Sequence, residues 1–82
     1  MPVVFLLQGF KFFFFSNEGD PLEPVHIHVR KERNLAKFWL GPDVQLSASY
    51  GPSAVELNKI RKIIDNRRSE IEDAWNEQRS QK

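Results

Sequence analysis

"FKFFFFS", residues Phe10–Ser16, decides the fold. Five of its seven residues are Phe, and the run is too short to make a helix of its own. As a strand, its successive side chains point to opposite faces. Phe10, Phe12 and Phe14 then share one face, while Lys11, Phe13 and Phe15 share the other. Both sets are apolar, so alternation alone leaves open which of them turns to a core. Either way, both faces of this strand need cover.

Working outward, Val3–Leu7 is β-prone, and Gln8-Gly9 fits a tight turn into the phenylalanine strand. Downstream, "NEGDPLEP" (Asn17–Pro24) is acidic and carries two prolines, so it reads as a loop. In "VHIHVRK", Val25, Ile27 and Val29 alternate with His26, His28 and Arg30, the period of a half-buried strand. A polar "KERN" turn leads into "LAKFWL", where Ala36, Phe38 and Leu40 oppose Leu35, Lys37 and Trp39. After "GPD", Val44, Leu46, Ala48 and Tyr50 alternate with Gln45, Ser47 and Ser49, predicting a fifth strand whose apolar set joins the core face.

Gly51-Pro52 ends the strands, and "SAVE" (Ser53–Glu56) has the form of a helix capping box. Leu57, Ile60, Ile64, Ile71 and Trp75 recur at helical spacing, with Ile63 and Ala74 widening the stripe. The middle, "DNRRSE", contains no apolar residue. The expected fold is α+β: an antiparallel β-meander of about five strands followed by one long C-terminal helix packed on one sheet face. It forms a single domain over residues 1–82, strand-rich over 1–50 and helical over about 53–79. About 27 helical residues would span roughly 40 Å, whereas a seven-residue strand reaches only about 23 Å. Such a helix must bend, or overhang the sheet and carry Trp75 beyond it.

The 82 residues hold no cysteine and a formal charge of +1, which excludes a disulfide framework, a thiolate nucleophile and a Cys-based zinc site. The N-terminal apolar run lacks a basic leader and is broken by Gln8, Gly9 and Lys11, so it matches neither an export signal nor a membrane span. A soluble, cytoplasmic protein is expected, with no membrane association and no cofactor implied.

One helix covers only one sheet face. The other combines His26, His28 and Arg30 with Lys37, Trp39 and one set of phenylalanines. A contiguous aromatic patch marks an interaction site, so Phe13, Phe15, Lys37 and Trp39, with Trp75 on the helix, form the expected interaction face. The partner is a second copy of the chain or another small protein. Stacking aromatics beside basic groups also suit single-stranded nucleic acid. His26 and His28 share a strand face about 7 Å apart, a separation that suits an acid–base pair flanking a phosphate held by Arg30. The same pair, completed by a loop carboxylate such as Glu18 or Asp20, could instead ligate a metal, although two histidines alone fall short of a usual zinc site.

Four stretches in this order, "FFFFSNEG", "EPVHIHV", "AKFWL" and a helix ending near "AWNE", resemble the bacterial domain-of-unknown-function family forty-one sixty over nearly the whole chain. The resemblance implies a small intracellular prokaryotic protein with no established activity. It also implies a genetic neighbour in a layout similar to toxin–antitoxin pairs. The family's proline pair before His-x-His is here Pro24 followed by Val25, and the loop histidine of many members is replaced by Gly19-Asp20. Only His26 and His28 match, so a third metal ligand would have to be a carboxylate.

Overall fold

The computed structural model describes residues 3–14 and 24–80, with side-chain surroundings through residue 77. Five strands, β1 (Val3–Leu7), β2 (Phe10–Phe13), β3 (His26–Lys31), β4 (Asn34–Trp39) and β5 (Gln45–Tyr50), form one antiparallel sheet in the order β1-β2-β3-β4-β5. Local chemistry sets the turns. Gln8 and Gly9 both take positive φ, 54° and 84°, as a two-residue hairpin requires. Glu32 does the same at 56° in the β3–β4 turn, where its carbonyl accepts a 3.1 Å hydrogen bond from Arg30 Nε.

Cross-strand register fixes the phase that the phenylalanine run leaves open. Phe12 lies opposite Val29, and Val29 opposite Ala36, so Phe10, Phe12 and Phe14 join the face carrying Ile27, Val29 and Phe38. All three phenylalanines are buried in the core with Leu40, Val44, Ile60, Ile63, Ile64, Ile71 and Trp75.

The expected single helix is two: α1 (Ala54–Asn66) and α2 (Arg68–Ser80). The capping box at Ser53 forms, with Ser53 Oγ accepting from the Glu56 N–H at 3.2 Å and Glu56 Oε1 accepting from the Ser53 N–H at 3.1 Å. The break falls in the stretch without apolar residues. Arg67 leaves helical geometry (φ −112°, ψ 22°), its N–H shared between the carbonyls of Ile63 and Ile64. Its own carbonyl accepts from Ile71 at 3.1 Å, so the hydrogen-bond ladder resumes one residue on.

The physical reason is reach. A straight rod of roughly 40 Å would exceed the longest dimension of the subunit, 36 Å. With nothing apolar between Asp65 and Glu70, bending there gives up no burial, and it lets Ile64, Ile71 and Trp75 all become fully buried. The Arg67 guanidinium lies 4.7 Å from the centroid of the Phe5 ring, and Arg68 Nη2 donates to the Pro42 carbonyl at 2.7 Å. These contacts hold the bend at the sheet.

β5 brings a second correction. Lys37 pairs with Ala48, but Phe38 pairs with Leu46, so Ser47 is an extra residue forming a bulge. A bulge inverts parity. Ala48 and Tyr50 therefore turn to the face opposite the helices, and every residue of β5 is exposed. Of the expected Val44/Leu46/Ala48 core set, only Val44 is buried.

Candidate functional site: the open face of the sheet

The face away from the helices is built in rows by the register. One row runs Leu6, Lys11, Arg30, Leu35, Tyr50 across all five strands. The next runs Phe13, His28, Lys37, Ala48, and a shorter one pairs His26 with Trp39 and Trp39 with Gln45.

The rows differ sharply in exposure. His26 is fully buried, its ring 4.9 Å from Trp75, 5.3 Å from Trp39 and 5.3 Å from His28, each edge-on. His26 Nδ1 lies 3.0 Å from the Pro24 carbonyl, which can only accept, so Nδ1 carries the proton. Trp75 also meets Phe14 edge-on at 5.3 Å, and its indole Nε1 is buried with no hydrogen-bond partner among the described residues. The expected overhanging helix end with Trp75 free for a partner is corrected: the bend at Arg67 brings Trp75 into the core. Phe13 is 2% exposed and stacks on His28 at 5.6 Å. Thus Phe13, on the open-face side of β2, and Trp75, in the core, are both buried, whereas Lys37 and Trp39 remain half-buried, with Lys37 Nζ 4.6 Å above the Trp39 ring.

Arg30 is exposed in the opposite outer row from buried His26, so the proposed histidine–arginine set is spread along β3 instead of converging on one cavity. Glu18, Asp20 and Phe15 lie outside the described residues. Among the described residues, no group of three or more His, Asp or Glu side chains is placed to hold a metal.

What the structure adds is a shallow depression of about 190 Å³ toward the β5 rim, lined by Phe13, His28, Leu35, Lys37, Ala48 and Tyr50 among others. Exposed Leu35 (42%) and Tyr50 (75%) line it; Leu46 (45%), paired with Phe38, lies on the helix-side face of β5 and is exposed there. Strict alternation places Leu46 and Ala48 together in the core; the bulge turns Ala48 to the open face, while Leu46 keeps the core-side parity and is nonetheless exposed on the edge strand.

The electrostatics are one-sided. Among the described residues, no strand position is Asp or Glu, whereas Lys11, Arg30 and Lys37 all rise from the open face. The acidic residues of the described chain lie in turns and helices: Glu32, Asp43, Glu56, Asp65 and the cluster Glu70, Glu72, Asp73 and Glu77 on α2. Two of the latter are engaged locally, Glu70 with Arg67 at 3.2 Å and Glu72 with Arg68 at 3.3 Å. Among the described residues, no helix is long and apolar enough to cross a membrane.

The chain matches a family described as Domain of unknown function (DUF4160) over residues 9–76, and it belongs to that family. No curated protein and no solved structure matches it.

Proposed function

We propose that this DUF4160 member is a protein-interaction module that associates through the open face of its sheet near β5. The observation that carries this reading is β5 itself. It is exposed at every position, and its Tyr50 stands beside exposed Leu35 at the rim of an open depression that Lys37 and Ala48 also line. Scattered exposed apolar residues are ordinary, but a contiguous group at a cavity is an interaction signal. The occupant in this reading is a second copy or another small protein. The toxin–antitoxin-like setting in the cytoplasm belongs to the same proposal, supported by the family resemblance and by a cysteine-free chain that needs no disulfide.

RNA cleavage by His26 and His28 has less support, because a fully enclosed His26 ring bonded to the Pro24 carbonyl is shielded from a phosphate in solvent. The test is coexpression with the neighbouring reading frame, read by size-exclusion chromatography with light scattering. A complex or homo-oligomer that dissociates in the Leu35→Ser/Tyr50→Ser variant supports the module. A monomer at every concentration, with no co-eluting neighbour, overturns it.

A further inference from the structure

We propose that the occupant of this face is an acidic, extended segment of a partner protein, laid as a sixth strand along the free edge of β5. The proposal rests on the interaction reading above and names the chemistry of the partner. Three observations converge on it.

The first is charge. Among the described residues, the open face carries Lys11, Arg30 and Lys37 on three adjacent strands, and no strand position is a carboxylate. Lys11 sits directly opposite Arg30. Of the three, Lys37 stands closest to the β5 edge, one strand in from it through its partner Ala48, and Lys11 and Arg30 extend the same positive field farther from the edge.

The second is the edge. β5 ends the strand order, so its outer backbone N–H and C=O groups have no strand partner among the described residues. Edge strands that avoid pairing usually carry Lys, Pro or inward-pointing charges. β5 reads QLSASY and has none of these; its one irregularity is the bulge at Ser47, which leaves Ala48–Tyr50 regularly paired to Leu35–Lys37. Such an edge suits addition of an extended peptide.

The third is shape. In the row Phe13, His28, Lys37, Ala48 the next position outward belongs to the added strand. Ala48 is small, so a Glu or Asp side chain there can lean across it toward Lys37. Two residues along, the added strand lies beside Tyr50 and Leu35, where an apolar side chain fits. The segment is therefore of the form acidic–any–apolar. A nucleic acid fits less well. Phe13 is buried and Lys37 already covers Trp39, which leaves Tyr50 as the open stacking ring of these rows.

The experiment titrates the full chain with four probes, following the β5 amide resonances. The probes are an acetylated eight-residue peptide alternating Thr with Glu and Val, its twins carrying Gln or Lys in place of Glu, and a short oligo(dT). The expected order is Glu tightest, then Gln, then Lys. Glu and Lys should differ roughly tenfold at low salt, narrowing near physiological ionic strength. Lys37→Glu should invert the order, and Ala48→Leu, which fills the depression, should weaken every peptide. Equal binding of the Glu and Gln peptides overturns the acidic assignment while leaving strand docking intact. Tighter binding of oligo(dT) overturns the protein assignment. Failure of all four probes overturns this inference, and the coexpression assay judges the broader interaction reading independently.

Discussion

The two faces of this sheet share the same strands, the same alternation and nearly the same supply of aromatic rings, yet they end in opposite states. On the inner face, Phe10, Phe12, Ile27, Val29 and Phe38 are 4% exposed or less beneath two helices. On the outer face, burial fades from His26 and Phe13 toward β5, where Tyr50 is 75% exposed. The difference does not come from residue type alone. It comes from cover: the bend at Arg67 commits both helices to the inner face and one end of the sheet, and the bulge at Ser47 turns Tyr50 to the uncovered side. An apolar residue in a small protein becomes core or interface according to which side has shelter.

Removing a ring from the sheltered side should have the largest effect. Trp75→Ala deletes a fully buried indole packed on Phe14 and His26, at an expected cost of about 3–5 kcal/mol. That is a large part of the stability of a small domain, so the urea midpoint should fall steeply. A loss below about 1 kcal/mol would place Trp75 at the surface and erase the contrast between the faces.

Next comes the joint between sheet and helix. Gly51 holds φ at 102°, and an added Cβ there would collide with the Asn34 side chain. Gly51→Ala should cost about 1–3 kcal/mol, measured by thermal unfolding. A neutral result would mean that the chain can leave β5 by another path. Ser53→Ala removes the acceptor of the capping box, and about 1 kcal/mol is expected, visible as a lowered melting temperature with an unchanged folded spectrum.

The smallest stability change should come from the open side. Tyr50→Ser should alter stability by no more than about 0.5 kcal/mol while weakening association. If the same substitution unfolds the chain, Tyr50 is core and the comparison fails.

Much of this contrast was legible in the residues. Period-two alternation in "VHIHVRK", the Gln8-Gly9 turn and the Ser53–Glu56 capping box each express a local preference that the fold keeps. The apolar-free "DNRRSE" stretch marked where a helix would be poorly held, and the break occurs within it at Arg67. Other features depended on distant partners. Alternation gives the parity of the phenylalanines but not their phase, which is set when Phe12 pairs with Val29. The extra residue at Ser47 has no local signature; it shows only in the pairing of β5 with β4. As for the site, the basic, carboxylate-free character of the strands stood in the sequence. The depression between Lys37, Ala48 and Tyr50 did not, because the bulge creates it.

Amide hydrogen exchange along β5 tests the central claim most directly. It should be read first in a dilute sample that light scattering shows to be a single subunit, then in the associated species. The account predicts fast exchange at the outward-facing β5 amides of the lone subunit, protected β3 amides throughout, and slowing on β5 when the partner or second copy binds. Equal protection of β5 and β3 in the lone subunit would contradict it, as would association that protects only the helices.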